Sequence, residues 1–342
     1  MNSIITTIII IAVLILAHEW GHFITARRIG IPVYEFSLGF GYRLLSIKRN
    51  GVEYSLRLFP LGGFVRMAGE QPDDLDNPEG FNNRTPLEKI RVAFAGPFMN
   101  FVMAVLIFIY SYAFIGIPQP MKAVVIGGVI TGQPAAKAGL IENDKILEVN
   151  GEKVATWTEF TSIIKKSENA PLTMKLVRNN HIKYVTVTPA NMDKTGAKIG
   201  AYSQVRYEKQ GILTSIKLGF IKTYQFTGQL IGGLGMLFTG EASAADLAGP
   251  VGITKMVGEA AQGGTLYLLA FTAFLSINLG ILNLLPIPAL DGSRMVFAAI
   301  EAIRRKPLAP EKEGFIHWLG FMFLMLLIVI VTYNDIIRLI KG

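Results

Sequence analysis

The stretch IITTIIIIAVLILAHEWGH, residues 4–22, joins an apolar run to two histidines and a glutamate. Such a run predicts a membrane helix, since a spanning helix needs roughly 20 mostly apolar residues. On a helix, His18 and His22 lie one turn apart on one face, so both imidazoles can reach the same metal ion. Glu19 can then take a proton from water activated by that metal. The sequence therefore predicts a metal site on a membrane helix.

Two simpler interpretations of this stretch are possible. Residues 4–17 could be a signal peptide, but no basic segment precedes them and no small-residue cleavage site follows. The pentapeptide also occurs by chance in soluble helices, where its histidines are packed and hydrogen-bonded. Ionisable groups in a membrane span are costly and usually functional. These points favour a retained transmembrane helix that binds a metal.

The composition is that of a membrane protein, since 51% of the 342 residues are hydrophobic and 17% are charged. The formal net charge of +8 is best interpreted from where the basic residues lie relative to the spans. No nucleic-acid partner is expected. The chain contains no cysteine, which excludes disulfides and thiolate ligands. Only His, Asp and Glu remain for a metal site.

Four apolar segments are long enough to cross a bilayer. They lie at 4–26, 93–117, 266–285 and 315–337. Lysine and arginine are concentrated after the first and the third of these, in residues 27–91 and 294–312, and none precedes the first. By the positive-inside rule the two basic segments are cytosolic and the N-terminus is outside.

Residues 211–240 admit two interpretations. The segment is apolar enough to be considered as a fifth span, but Lys217, Lys222, Gln225 and Gln229 interrupt it. A polar stripe of this kind suits a helix at the membrane surface. We therefore expect four spans.

Two segments between the spans show strand patterns. Residues 121–190 alternate apolar and polar side chains, and 172–178 with 181–188 predict a hairpin, so a small β-rich domain is expected outside the membrane. The cytosolic segment is also expected to form short strands. They are predicted at 44–48, 52–58 and 62–67, and residues 58–65 are apolar enough to dip into the membrane.

A catalytic zinc site needs a third protein ligand, and three residues are candidates. His181 lies in the predicted outer hairpin and is most simply a surface residue, whereas His317 opens the fourth span beside Trp318, where an interfacial role is favoured. Asp291 follows the third span after Pro286 and Pro288, which break the helix. By position alone, ligand and Asp-Gly turn residue are equally good interpretations of Asp291.

The predicted topology brings Asp291 and His18 to the same side of the membrane. His18 is about 14 residues into its apolar run, roughly 21 Å of helix, and so lies past the midplane toward the cytosol. With four spans the third helix runs in the same direction, and Asp291 follows its apolar stretch. A fifth span would separate these residues, which is a second argument against it.

Three asparagines in apolar spans are further candidates. Asn283 and Asn278 could hydrogen-bond the substrate backbone or a developing oxyanion, or they could join helices within the bundle. Asn100, after Gly96-Pro97, admits the same two interpretations.

In their order along the chain, several motifs closely resemble the site-2 protease family. They are HEWGH at 18–22, GGFVRM at 62–67, AGPFMN at 95–100, AGPVGI at 248–253 and NLLPIPALDG at 283–292. The nearest resemblance is to the bacterial branch that includes the regulator of sigma-E protease, and it covers nearly the whole chain. Residues 132–151 resemble a PDZ domain of the protease-associated kind, with Asn143 where that family usually has glycine. Only one PDZ domain is present, where the sigma-E enzyme has two in tandem.

The resemblance implies one zinc ion held by His18, His22 and Asp291, with Glu19 as the general base. It implies a membrane-associated hairpin around 44–66 that presents substrate as an extended strand, and a role for Asn283, and less directly Asn278, in holding the substrate or stabilising the transition state. The implied substrates are single-span membrane proteins already shortened by an upstream site-1 protease. Anti-sigma factors typify them, and remnant signal peptides are a further class.

The expected fold is an α-helical polytopic membrane protein with about four transmembrane helices, a membrane-associated β-hairpin and one extracytoplasmic PDZ domain, in a bacterial cytoplasmic membrane. The expected regions are a catalytic membrane half (1–120), the PDZ domain (121–193), a linker with an amphipathic surface helix (194–262) and the last two spans (263–342).

Two other functions are alternatives to intramembrane proteolysis. A PDZ-bearing scaffold would not need Glu19, and a metal transporter should have several sites along a path, whereas one cluster is found. Serine and aspartyl intramembrane proteases are disfavoured because neither a GxSG-type nucleophile segment with a membrane histidine nor a pair of aspartates across two spans is found.

Overall fold

The computed structural model describes residues 2–70, 74–121, 123–191, 196–241 and 248–341. The chain forms two compact units, one of residues 1–113 with 211–342 and the other of residues 114–210. The HEWGH helix and the Asp291 segment both belong to the first unit.

The first unit contains four helices that are long and apolar enough to cross a membrane, which confirms the predicted number of spans for the described residues. Helix α1 is Ser3–Ile29 and α2 is Pro86–Tyr110, extended by a π-helical turn over Ser111–Ile115. The other two are α7, Thr265–Leu284, and α9, Pro310–Lys341. Helices α6, Pro250–Gln262, and α8, Asp291–Arg304, are too short to span a bilayer.

The spanning helices begin and end at residues suited to those positions. Asn2 caps α1 by accepting a hydrogen bond from the Ile4 N–H, and Gly30 ends it in the left-handed conformation that glycine tolerates. A reciprocal capping box between Thr85 and Glu88 starts α2, with Pro86 at the first helical position.

Helix α5, Ile212–Thr239, covers the segment considered as a fifth span. It is not one of the four helices that are long and apolar enough to cross a membrane. It packs on two spanning helices. The Phe226 ring lies 5.7 Å from Phe108 of α2 and 6.0 Å from Phe274 of α7. Phe226 of α5 therefore contacts the helix bundle.

Helices α1 and α2 cross closely because glycines occupy the crossing. A Cβ atom on Gly21 would lie 2.2 Å from the Ala95 carbonyl oxygen, and one on Gly96 would lie 2.2 Å from His22 Nε2. The glycines of HEWGH and AGPFMN thus bring the histidine face of α1 against α2.

The segment after α1 forms a larger sheet than the sequence predicts. Strand β1 is Val33–Arg49 and β2 is Val52–Met67, so the first strand begins about ten residues before the predicted one. Residues 33–38 lie between two parts of β2, since Phe36 is opposite both Val65 and Tyr54. Among the described residues, β2 from Gly63 to Met67 pairs on one side only.

Helix α9 contacts α6 through a buried carboxylate. Asp335 is 4% exposed and accepts a hydrogen bond of 2.7 Å from the Gly252 N–H in the first turn of α6. A Cβ atom on Gly249 would lie 2.8 Å from Asp335 Oδ2. The AGPVGI motif therefore provides room and a donor for this side chain.

The second unit is a small α+β domain, as the pattern of residues 121–190 predicts. Its strands are β3 Ile117–Pro120, β4 Ile126–Val129, β5 Lys145–Val149, β6 Glu152–Lys153, β7 Leu172–Arg178, β8 His181–Val187, β9 Ala190–Asn191, β10 Ala197–Lys198, β11 Ala201–Ser203 and β12 Val205–Glu208, and its helices are α3 Pro134–Lys137 and α4 Trp157–Lys166. The main sheet has the order β6-β5-β7-β8. The β7–β8 pair confirms the predicted hairpin.

Asn143 in this unit has a backbone φ of +70°. Glycine and asparagine adopt this conformation more readily than other residues, which accounts for asparagine at a position where PDZ domains usually have glycine.

Candidate metal centre

Two histidines from α1 and an aspartate from α8 converge at the α1–α2 crossing. Asp291 Oδ2 lies 3.1 Å from His18 Nε2 and 3.3 Å from His22 Nε2, and the two Nε2 atoms are 3.2 Å apart. In the part of the chain that the structure describes, this is the only cluster of three such residues able to hold a metal ion. Tetrahedral ligand atoms about 2.0–2.1 Å from zinc are separated by roughly 3.3 Å, so the observed spacing fits zinc.

His22 is oriented by a backbone carbonyl of α2. Its Nδ1 lies 2.8 Å from the Val92 carbonyl oxygen, which can only accept a hydrogen bond. Nδ1 therefore carries the proton, and Nε2 presents a lone pair to the cluster.

His18 is oriented by Asn100 of α2, which is fully buried. The Asn100 amide nitrogen is 3.1 Å from His18 Nδ1, and the amide oxygen has no hydrogen-bond partner among the described residues. A half-turn of the amide exchanges its two atoms and lets the oxygen accept a proton from Nδ1. Nε2 of His18 is then also free to act as a ligand.

The surroundings of the Asp291 carboxylate fit a cation bound between the three side chains. Its Oδ2 atom is buried and accepts no hydrogen bond from the residues that the structure describes. Three lone-pair donors within 3.3 Å of one another repel unless a cation lies between them. The residues present therefore fit a divalent metal ion bound by nitrogen and oxygen ligands.

The end of α7 and the start of α8 place Asp291 at this point. After Leu284 the chain leaves the helix, passes through Pro286 and Pro288, and begins α8 at Asp291. A Cβ atom on Gly292 would lie 2.3 Å from the Leu285 carbonyl oxygen, so only glycine fits there. Both interpretations of Asp291 are compatible with this geometry, because the residue begins a helix after a turn and also contacts the histidines.

A cavity of about 560 Å³ opens beside the three candidate ligands. Glu19 lines this cavity together with the end of β2, and a Cβ atom on Gly63 would lie 3.1 Å from the Glu19 Cγ. Asn283 lines the cavity as well, whereas Asn278 is not among the lining residues. Glu19 is thus next to both the ligand cluster and the unpaired edge of β2.

The wall of this cavity contains an ion pair that the sequence did not predict. Arg294 Nη1 lies 2.7 Å from Glu70 Oε1, and the Met67 N–H at the end of β2 donates to the other Glu70 oxygen. The negative charge of Glu70 raises the pKa of Arg294. Arg294 follows Asp291 by one helical turn, so the pair connects the end of β2 to the helix that begins at Asp291. Their wide separation in sequence leaves no local signal of the pairing.

The other two histidines are not part of the ligand cluster. His181 is exposed on β8 of the second unit. His317 is on α9, where its Nδ1 accepts a hydrogen bond from the Ala289 N–H.

Comparison with known proteins shows relatives of full length. Residues 6–327 match the model of peptidase family M50. The chain is 35% identical to the "Zinc metalloprotease RasP" of Geobacillus kaustophilus over 98% of both chains, and 34% identical to the "Regulator of sigma-W protease RasP" of Bacillus subtilis over 99% of both. It is also 34% identical to the "Probable protease eep" of Enterococcus faecalis over 99% of both.

A solved PDZ domain of an SdrC-like protein from Listeria monocytogenes is 20% identical to the aligned part of this chain. That match has a TM-score of 0.23 and covers 25% of this chain and 93% of that domain.

The family match and the full-length relatives together establish that the chain belongs to peptidase family M50.

Proposed function

We propose that this protein is a zinc-dependent endopeptidase that cleaves peptide bonds within or near the bilayer, with His18, His22 and Asp291 as zinc ligands and Glu19 as general base. The main support is that three candidate ligand atoms converge beside Glu19. Two of them are the Nε2 atoms of His18 and His22 on a membrane-spanning helix, and the third is Oδ2 of Asp291. The family and the zinc metalloproteases among its full-length relatives support the same chemistry. Zinc, when bound, lowers the pKa of a coordinated water and polarises the scissile carbonyl.

Glu19 supplies the proton transfer. Its carboxylate lines the cavity next to the ligands and takes a proton from the attacking water. The same carboxyl group then gives that proton to the leaving nitrogen, so the peptide bond is cleaved with one water consumed. Asn283, on the cavity wall, is suitably placed to hydrogen-bond the substrate backbone or the developing oxyanion. Asn278 lies outside this wall, and we do not propose the same role for it.

The edge of β2 at residues 63–67 is the proposed substrate-binding strand. Its outer side has no neighbouring strand among the described residues, and its end lines the cavity beside Glu19. An unpaired edge offers backbone N–H and C=O groups to an extended peptide. A membrane helix must unwind before its peptide bonds can be attacked, and binding as a strand would stabilise the unwound segment.

The proposed substrates are single-span membrane proteins that another protease has already shortened. A relative bears the name regulator of sigma-W protease, which supports anti-sigma factors as one class. Remnant signal peptides are a second class with the same single apolar segment.

For this multi-pass membrane protein we propose an orientation with the N-terminus and the 121–193 domain outside the cytosol and the active site toward it. The basic residues of 27–91 and 294–312 support this orientation.

The decisive experiment compares the wild type with Glu19→Gln in proteoliposomes that contain a single-span model substrate. We expect cleavage to be lost while zinc, measured by metal analysis, remains bound. Asp291→Ala should instead lose both cleavage and zinc. Continued cleavage by Glu19→Gln would contradict the proposed base, and full zinc occupancy in Asp291→Ala would place the third ligand elsewhere.

A further inference from the structure

The fourth spanning helix contacts the loop that leads to the zinc-binding aspartate. The Ala289 N–H donates a hydrogen bond of 3.0 Å to His317 Nδ1 on α9. One turn further along α9, Gly320 lies against Pro288, because a Cβ atom there would be 2.3 Å from the Pro288 carbonyl oxygen. Helix α9 therefore meets the two residues, Pro288 and Ala289, that come shortly before Asp291.

The backbone at the contacted position is strained. Ala289 has φ +77°, in the left-handed region that residues with a Cβ atom rarely adopt. Such a conformation persists only where surrounding contacts hold it. Asp291 is two residues further on, so relaxation at Ala289 would move the carboxylate away from the histidines.

The His317 ring is itself held in place. It meets the Phe297 ring of α8 edge to face at 5.4 Å, and the Glu313 carboxylate is 3.7 Å from its Nε2. A carboxylate near Nε2 favours a proton on that nitrogen, which leaves Nδ1 as the acceptor for the Ala289 N–H.

We propose that His317 is a positioning residue for the metal centre: its hydrogen bond holds Ala289 in the left-handed conformation, and Ala289 in turn sets the position of Asp291. This inference rests on the proposed role of Asp291 as a ligand. It assigns a function to the fourth span, in whose apolar stretch only 11% of the residues are buried within the protein.

The test measures zinc retention by the full-length protein in detergent against a series of chelator concentrations, with cleavage of the model substrate as a second readout. We expect His317→Ala to weaken zinc retention about tenfold or more, the range typical of partners that orient metal ligands. His317→Asn should retain zinc, because its amide oxygen can take the place of Nδ1 as an acceptor. The control is His181→Ala, an exposed histidine on β8, which should behave as the wild type.

A second substitution separates positioning from general destabilisation. Glycine adopts φ +77° without strain, so Ala289→Gly should restore zinc retention in the His317→Ala background. Wild-type zinc retention by His317→Ala would overturn the proposal. A loss that neither His317→Asn nor the double variant His317→Ala with Ala289→Gly recovers would also overturn it.

The same measurement on Asp291→Ala distinguishes this proposal from the proposed function. Full zinc retention by Asp291→Ala would remove Asp291 from the ligand set, and with it the proposed function as stated. Loss of zinc in Asp291→Ala together with unchanged retention in His317→Ala would overturn only the positioning role.

Discussion

Gly96 of α2 lies directly against the imidazole of His22, since a Cβ atom on Gly96 would be 2.2 Å from His22 Nε2 and 2.6 Å from Cε1. The ring is also held by the hydrogen bond between its Nδ1 and the carbonyl of Val92, one turn before Gly96 on α2. Nε2, the proposed zinc ligand of His22, therefore occupies a space that exists only because residue 96 has no side chain.

Gly96→Ala should abolish zinc binding. The added methyl group meets a ring that is buried and hydrogen-bonded, so either His22 moves or the α1–α2 crossing opens. We expect loss of zinc by metal analysis and loss of substrate cleavage, with the protein still inserted in the membrane. Gly228→Ala is the matched control, because no atom of the described residues lies within 4 Å of a Cβ atom there. Normal zinc content in Gly96→Ala would show that the crossing tolerates the methyl group.

Asn100→Ala should weaken zinc binding without removing a ligand. The substitution deletes the partner of His18 Nδ1, and loss of such partners typically costs 10–100-fold in metal affinity. Asn100→Asp should recover part of the affinity, because a carboxylate can accept the Nδ1 proton. Chelator titration of the purified variants checks both expectations. Equal zinc affinity in the wild type and Asn100→Ala would mean that His18 needs no such orientation.

The helix that carries the two histidines and the number of spans were predictable because both depend on local patterns. The spacing of His18 and His22 fixes a shared helix face, and apolar length alone identifies a span. Counting spans also predicts that Asp291 and the two histidines lie at the same end of the helix bundle. The distance between Asp291 and the histidines does not follow from such a count, because it depends on the Gly21–Gly96 crossing and on the turn after Leu284.

The contacts that orient the ligands could not be derived from sequence. Asn100 was one of several asparagines in apolar spans, with packing and functional roles equally open. The Glu70–Arg294 and Ala289–His317 contacts join residues far apart in the chain, and neither has a periodic or motif signal. The start of β1 at Val33 was missed because residues 33–38 owe their strand conformation to neighbours on both sides.

Glu35 makes the stability of the β1–β2 sheet depend on pH. Burial raises its pKa, but hydrogen bonds from Ser55 and Arg57 and the Arg57 charge outweigh burial, and the net shift is downward. The ionised carboxylate therefore stabilises the folded sheet above about pH 4.3, the ordinary value for glutamate, and this stabilisation is lost as the pH falls through the lower folded-state pKa.

Limited proteolysis of residues 33–67 across acidic pH tests this linkage. The wild type should become more susceptible as the pH falls below about 4.3, whereas Glu35→Gln should be more susceptible at neutral pH and change less with acid. Glu79→Gln is the control, because Glu79 is exposed in the same unit. A pH profile that is the same for Glu35→Gln and the wild type would exclude Glu35 as its source.

Asp335→Ala should loosen α9 from α6. The substitution removes the acceptor of the Gly252 N–H, and a lost hydrogen bond to a charged group costs about 1.5–3 kcal/mol. We expect a lower unfolding temperature in detergent. We also expect weaker zinc retention, because the same helix holds Ala289 through His317. Asp335→Asn keeps an oxygen acceptor and should lose less stability than Asp335→Ala. Glu259→Ala, which alters an exposed carboxylate on α6, is the control. If Asp335→Ala loses stability but keeps the wild-type zinc affinity, the C-terminal part of α9 is anchored independently of the part that contacts Ala289.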